Sequence, residues 1–263
     1  MKKNIFFIFL ISGVFMMLCV AYAKDVITGT ISGQVMLKDG NPMSGGLAVF
    51  FNDGTGPPPD SKKYWRVPDH IVKIDENGRF SADLPEGTYY VGAIKRMSGE
   101  AIGPPREGDY FVVTRDDRQR AKGFVVKAGK SIDTGIISGA EPFHLTSTVQ
   151  KDVSAVEGTI TYIDGTPVSG AVVSAFRTMT ETGKPVFSSL RTGSDGKYSI
   201  RVQSGSYYLR ARSVYGGGPP LKGEVIGAYG EKEPVSVAVK EGEIIKGVDI
   251  KVIKFSGRGP KKE

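Results

Sequence analysis

The sequence predicts an all-β protein made of two tandem β-sandwich domains, and three observations support this fold class. The stretch Ile31–Val49, ISGQVMLKDGNPMSGGLAV, returns without a gap as Val156–Ser174, VEGTITYIDGTPVSGAVVS. A recurrence over such a distance indicates two copies of one domain rather than a solenoid. Within each copy, apolar residues alternate with polar ones, and glycine-containing turns separate the alternating runs.

The alternation has the period of half-buried antiparallel strands. Ile31, Val35 and Leu37 fall on one face of the first run, because successive side chains of a strand point to opposite sides. The runs Phe80–Leu84 and Tyr198–Val202 show the same pattern. Dipeptides that favour the positive φ of tight hairpins separate the runs: Asp39-Gly40, Asn77-Gly78, Asp164-Gly165 and Asp195-Gly196. We find no convincing helical pattern after residue 23.

Residues 1–23 have the features of a secretory signal peptide. Lys2 and Lys3 precede the apolar run Ile5–Val20, and Ala21-Tyr22-Ala23 is a cleavage site of the A-x-A type. An uncleaved membrane anchor is the alternative, since the run approaches the length that spans a bilayer. Cleavage would remove Cys19, the only cysteine, and with it any disulfide or thiolate chemistry. We therefore expect an exported protein, either periplasmic or extracellular at the cell surface.

The repeated turn and core positions resemble the carboxypeptidase regulatory-like domain family. The shared pattern is G-x-V-x…D-G-x-P-x-x-G, then D-x-x-G-x-F, then G-x-Y-x-V. The resemblance implies a seven-stranded, prealbumin-like (transthyretin-like) β-sandwich in each copy. The positions that carry it are Gly33, Asp39, Gly40, Pro42, Gly78, Gly87 and Tyr89 in the first copy, and Gly158, Asp164, Gly165, Pro167, Gly196, Gly205 and Tyr207 in the second.

The repeat and the resemblance together predict the domain boundaries. We expect a signal peptide at 1–23, a first carboxypeptidase regulatory-like sandwich at 24–140 and a linker at 141–153. A second such sandwich follows at 154–254, and a basic tail at 255–263 ends the chain.

The sequence offers no convincing catalytic, cofactor-binding or metal-binding residues. His70 is followed three positions later by Lys73, and His144 by Ser147, so neither histidine starts the H-x-x-E pair of a zinc carboxypeptidase. No G-x-S-x-G elbow occurs, although paired carboxylates for glycoside hydrolysis stay open because their spacing is set in three dimensions. Asp75–Gly78 resembles the start of a calcium loop, but a hairpin turn explains both copies better. We expect a protein that is not an enzyme and has no cofactor.

One loop stands out as a candidate contact surface. The proline-rich insertion Asn52–Pro68 carries Tyr64 and Trp65 beside Lys62, Lys63 and Arg66, and the second copy lacks this aromatic pair. Exposed aromatic rings stack on sugars or anchor protein partners. The alternative is that Trp65 folds down to cap its own sandwich.

These observations predict a secreted, non-catalytic, structural or partner-binding protein of the bacterial envelope. One alternative is a carbohydrate-binding protein that uses the loop around Trp65. Another is a self-assembling surface or filament subunit, in which an exposed strand such as Lys24–Thr30 pairs with a second copy. The expected partner is an envelope protein or polysaccharide, with homo-oligomers possible. We expect no specific nucleic acid, and membrane contact only through an uncleaved signal segment.

Overall fold

The computed structural model describes residues 27–97, 99, 102–144, 153–179, 183–216 and 218–257. The predicted signal peptide, most of the predicted linker and residues 258–263 of the basic tail lie outside these ranges. The described chain is all-β, as predicted. In these ranges, no helix has the length and apolar character needed to cross a membrane.

The first domain contains the strands β1 to β8. They are β1 (Thr28–Leu37), β2 (Leu47–Asn52), β3 (His70–Lys73), β4 (Arg79–Pro85), β5 (Gly87–Lys95), β6 (Tyr110–Val113), β7 (Gly123–Val126) and β8 (Ser131–Pro142). The pairing order is β3-β2-β5-β6-β8-β1-β4, and β7 pairs with β5. β6 and β7 bind different halves of the same edge of β5, so eight strands fill seven positions.

The second domain repeats this arrangement. Its strands are β9 (Ser154–Tyr162), β10 (Val172–Phe176), β11 (Phe187–Ser188), β12 (Lys197–Val202), β13 (Gly205–Arg212), β14 (Val225–Ala228), β15 (Ser236–Val239), β16 (Ile244–Ile245) and β17 (Ile250–Lys254). The order β11-β10-β13-β14-β17-β9-β12 matches that of the first domain strand for strand. β15 adds to β13, and β16 adds to β9 beside β17, so seven positions are filled again.

Each domain buries the apolar face that its alternating strands create. In β4 the exposed and buried residues alternate from Arg79 to Leu84, and β12 shows nearly the same pattern. Ile31, Phe50 and Tyr89 lie in the first core, whereas Ile160, Phe187 and Tyr207 lie in the second. The prediction of two tandem β-sandwiches is therefore confirmed.

The repeated glycines of β1 and β9 allow a close approach between strands. A Cβ at Gly33 would lie 2.0 Å from Thr134 Oγ1, and one at Gly158 would lie 2.0 Å from the carbonyl oxygen of Val248. Neither distance is possible for a side chain, so only glycine lets the neighbouring segment pack here. The absence of a side chain at these two positions therefore permits the close parallel contact within each sandwich.

The other repeated motif residues form turns and anchor them. Asp39 and Asp164 each accept a hydrogen bond from the backbone N–H two residues on, and Gly40 and Gly165 have φ values of +86° and +88°. Tyr89 and Tyr207 are buried, and their hydroxyls donate to the carbonyls of Pro85 and Gln203 at 3.1 and 3.0 Å. The remaining motif residues lie at equivalent turns and bridges of the two copies: Pro42 and Pro167, Gly78 and Gly196, and Gly87 and Gly205.

Candidate functional site

The insertion Asn52–Pro68 is a strap that joins the first domain to the second. It leaves β2, reaches the edge strand β11 and returns to β3. Arg66 forms an antiparallel bridge with Phe187. The N–H of Ser188 donates to the carbonyl of Trp65 at 3.0 Å, and the N–H of Val67 donates to the carbonyl of Val186 at 2.8 Å. The first domain thus extends the sheet of the second, within one chain, by the edge pairing that many proteins use between chains.

Tyr64 inserts into the hydrophobic core of the second domain. Only 8% of the residue is exposed, and its ring lies 5.0 Å from that of Phe187, which in turn lies 5.7 Å from Tyr207. Its hydroxyl donates to the carbonyl of Pro58 at 2.9 Å, so the polar end is satisfied inside the strap. Burial raises the pKa of Tyr64 to about 12. The second domain's core therefore includes a residue of the first domain.

Trp65 turns the opposite way and packs on its own domain. It is also 8% exposed, with ring centroids 6.3 Å from Phe111 and 5.4 Å from Phe143. The guanidinium of Arg201 lies 5.9 Å from the Trp65 ring, a cation–π contact from the second domain. Adjacent residues alternate in direction along extended backbone, which explains why Tyr64 and Trp65 enter different domains.

These positions correct the alternative of an exposed aromatic loop. Tyr64 and Trp65 are buried against protein, so neither offers a face on which a sugar ring could stack. Lys62 and Lys63 are exposed, as expected for a contact surface. The carbonyl of Lys62 accepts a hydrogen bond from Arg201 at 2.9 Å, so even this basic corner contacts the second domain. The residues predicted to form a contact surface thus lie between the two domains, and their role in binding a partner stays a prediction.

Arg66 is the internal anchor of the strap. Its side chain is only 1% exposed and forms an ion pair with Asp69 at 3.1 Å. The two terminal nitrogens also donate to the carbonyls of Asn52, Gly56 and Pro57. Burial lowers the pKa of Arg66, an effect that Asp69 opposes. The buried charge is thus used to fold the proline-rich segment, and it is shielded from any external anion.

The strap covers an apolar patch on the outer face of the first domain's sheet. Val49, Phe51 and Ile94 form a small separate cluster, with Tyr90 and Phe111 packed against it. An outward-facing apolar cluster on a sheet needs a cover. Trp65 supplies part of this cover through its contact with Phe111.

A second contact joins the domains beside the strap. Gly103 approaches Tyr215 so closely that a Cβ there would lie 2.4 Å from the tyrosine ring. Arg96 holds this loop by donating to the carbonyls of Gly103 and Pro104 while pairing with Asp109 at 3.0 Å. Lys184 of the second domain donates to the carbonyl of Asp69 at 3.2 Å.

The candidate catalytic or metal-binding residues, His70, His144 and Asp75, make contacts typical of structural residues. The His70 ring packs against Tyr89, and burial followed by Lys184 lowers its pKa. His144 pairs with Glu107 at 2.6 Å on the surface. Asp75 Oδ1 accepts from the backbone N–H of residues 77 and 79, as in a hairpin turn. Among the described residues, no three His, Cys, Asp or Glu side chains are grouped to hold a metal.

The strand suggested as a donor for self-assembly is already used within the first domain. Thr28, Gly29 and Thr30 pair with Pro85, Leu84 and Asp83 in antiparallel register. Residues 24–26 lie outside the described ranges. An assembly that extracts this segment would have to break the pairing of β1 with β4, which argues against it as a free edge.

Comparison with known families is informative for the second half of the chain. Residues 155–240 match the family model of the carboxypeptidase regulatory-like domain. The second domain is therefore similar to this family over most of its length. The first domain has the same strand order, so the predicted resemblance of the two copies is confirmed.

Solved structures that match the chain include a Bacillus anthracis protein and a shaft pilin. The TIE protein of Bacillus anthracis is 20% identical, with a TM-score of 0.26, over 85% of this chain and 34% of that one. The shaft pilin SpaA of Lactobacillus rhamnosus GG is 11% identical, with a TM-score of 0.24, over 89% of this chain and 100% of that one. The chain thus spans about a third of the length of the Bacillus protein. These scores are too low to support any inference about function. No curated protein matches the chain.

Proposed function

We propose that this protein is a non-catalytic structural module of the bacterial envelope that presents a partner-binding surface on two rigidly joined carboxypeptidase regulatory-like domains. The observation that carries the proposal is the insertion of Tyr64 of the first domain into the core of the second. Domains of one chain usually move relative to each other unless their interface is large and apolar. A shared core residue, a β-bridge and the Gly103–Tyr215 contact together favour one rigid body.

The use of the buried charges supports a structural role. Arg66 pairs with Asp69, and Arg96 pairs with Asp109. The third such pair is Arg212 with Glu224, and each pair closes a loop. Catalytic sites instead leave a perturbed acid, base or nucleophile accessible to a substrate. The arrangement is one in which ionisable groups fix backbone geometry.

The edge strands β4 and β12 favour a single rigid unit over a polymer built by pairing through them. β4 ends the strand order of the first domain and exposes Arg79 at its start, while β12 ends that of the second and exposes Lys197. Charged side chains on an edge strand oppose pairing with another chain. The strap occupies the edge of β11.

The test is partner capture from the source cells with a matched pair of variants. Tyr64→Phe keeps the interlock, whereas Tyr64→Ala removes the ring from the second domain's core. We expect photo-crosslinking of whole cells to recover one envelope component with the wild type and with Tyr64→Phe, and much less of it with Tyr64→Ala. Equal recovery with Tyr64→Ala would contradict the role of rigidity. Recovery of copies of this chain alone would replace the proposal with self-assembly.

A further inference from the structure

The sheet of the first domain opens between β6 and β8. The antiparallel pairing of these strands joins Tyr110 with Pro142 and Phe111 with Glu141, and it ends there. Beyond this point β6 continues along β5, whereas β8 continues along β1. A slot of about 540 Å³ is lined by residues of both diverging strands, and this volume lies in the range of ligand-binding clefts. The slot is a break within a sheet.

The corresponding strands of the second domain stay paired at this position. Gly227 of β14 pairs with Val252 of β17, whereas the equivalent residues of the first domain, Val112 and Ala140, are not paired in the described chain. A Cβ at Gly227 would lie 2.4 Å from the carbonyl oxygen of Lys251, so only glycine permits this approach. The side chain of Val112 therefore keeps β6 away from β8.

A bulge in β8 lies beside the slot. Ile137 pairs with Val35 and Ala140 pairs with Leu37, so two residues of β8 lie opposite one residue of β1. One of the two is Gly139, which has a φ of +86°. In the second domain, β17 pairs with β9 without such a shift. A bulge bends a strand and ends its pairing, and bulges are frequent beside functional sites.

The β6 side of the slot offers backbone hydrogen bonds. The N–H of Thr114 donates to the carbonyl of Val91 on β5 at 2.9 Å. Because the backbone groups of successive strand residues point to opposite sides, the N–H and C=O of Val113 point away from β5 and into the slot. Continued pairing with β8 would bring Val113 opposite Gly139, but the described strands do not form this pair. Val113 can therefore pair with an added strand.

The apolar side chains around the slot determine which side chains an added strand would carry on each face. Val112 and Ile137 pack against the core of the first domain, so they form the floor of the slot. By the alternation of strand residues, Ile136 and Arg115 lie on the outer side. Ile136 is 68% exposed. A strand with apolar residues turned inward would thus cover the floor.

The charge of the slot favours an acidic residue on the outer face of that strand. Arg115 is exposed and donates to the carbonyl of Gln119 at 2.7 Å, and in the described ranges no carboxylate pairs with it. Glu141 also lines the slot, but Lys38 pairs with it at 2.8 Å. The unbalanced charge of the lining is therefore positive.

We propose that the slot between β6 and β8 binds a short extended segment of a protein partner. The segment pairs with Val113, turns apolar side chains towards Val112 and Ile137, and places an acidic side chain beside Arg115. The strap already adds to the edge of β11 in this way. This inference rests on the proposed function, because it names the surface that the partner occupies.

Titration of isotope-labelled protein with two capped pentapeptides, TVEVT and TVKVT, tests the slot. We expect TVEVT to shift the amide resonances of Val113 and Gly139 and to slow hydrogen exchange at Val113. TVEVT should bind about threefold to fivefold more tightly than TVKVT, since an exposed ion pair contributes a factor of this order.

Matched variants locate the binding. Ser138→Trp fills the slot from an exposed position on β8 and should abolish the shifts, whereas Ser131→Trp, exposed on the same strand but outside the slot, should preserve them. Arg115→Glu should reverse the preference in favour of TVKVT. Arg118→Glu is the control, because Arg118 is exposed nearby and does not line the slot.

The outcomes separate this inference from the proposed function. Absent shifts with both peptides at about 10 mM, or shifts that persist in Ser138→Trp, would overturn the slot. An unchanged preference in Arg115→Glu would overturn the role of its charge. In whole-cell photo-crosslinking, equal recovery of a partner by the wild type and Ser138→Trp would overturn the slot and leave the proposed function intact. Recovery of no partner by the wild type would contradict the proposed function even if the peptides bind.

Discussion

Replacing Tyr64 by alanine should uncouple the two domains. Tyrosine buries at least about 150 Å² in a core, which at about 25 cal/mol per Å² corresponds to roughly 4 kcal/mol. That figure is an upper estimate, because the unfolded chain already buries part of this surface. Tyr64 is 8% exposed and contacts Phe187 at 5.0 Å, so we expect Tyr64→Ala to cost about 3 kcal/mol.

Calorimetry of the protein is the assay for this loss. The wild type should unfold in one cooperative transition, with calorimetric and van't Hoff enthalpies that agree. In Tyr64→Ala the second domain loses part of its core, so its unfolding should separate as an earlier transition. Tyr64→Phe is the control, since it removes only the hydrogen bond to Pro58 and should cost about 1 kcal/mol while keeping one transition.

The reasoning fails if Tyr64→Ala still unfolds in one transition with a loss below about 1 kcal/mol. Such a result would mean that the second domain's core closes without the ring. The strap would then be a covering of the first domain and not a coupling element.

Three further predictions concern other parts of the molecule. Trp65→Ala should lower the free energy of unfolding by about 3 kcal/mol in urea, because the ring is buried; an unchanged urea midpoint would restore the exposed-loop alternative. Gly158→Ala should cost about 3 kcal/mol or more, since the new Cβ would lie 2.0 Å from a carbonyl oxygen; a soluble variant with wild-type stability would contradict that close approach. Hydrogen bonding from Arg212 lowers the pKa of Glu224 below its ordinary value of 4.5. The ionised Glu224 therefore stabilises the folded state fully above pH 4.5, and this contribution is lost as the pH falls through the lowered pKa. Glu224→Gln should reduce the loss of folding stability that acid titration measures in this range.

The fold could be predicted because its signals are local and occur twice. The Asp-Gly dipeptides mark turns wherever they occur, and the alternation around Phe80 and Tyr198 marks buried strand faces. The glycines at positions 33 and 158 stand inside regular runs, and each lies against a neighbouring segment. Such features depend on backbone geometry that the nearby residues determine.

The aromatic insertion could be singled out from the sequence, but its contacts could not be predicted. The aromatic pair in a proline-rich insertion marked Asn52–Pro68 as a contact surface, because the second copy lacks it. Tyr64 packs into the second domain's core beside Phe187, which is more than a hundred residues away in sequence. No local pattern reports which surface lies opposite a loop. The burial of Arg66 could not be predicted from the sequence either, since its partners are mainly backbone carbonyls, which every sequence contains.

The burial of Tyr64 in the second domain's core also has a consequence for folding during synthesis. Chains emerge from the N terminus, and domains generally fold as they emerge. The first domain can therefore complete its sheet while the residues around Phe187 have not yet been made. Until they are made, the core that buries Tyr64 in the complete protein does not exist. A chain truncated between the domains would thus lack the residues that bury Tyr64, so the strap would carry an uncovered aromatic ring.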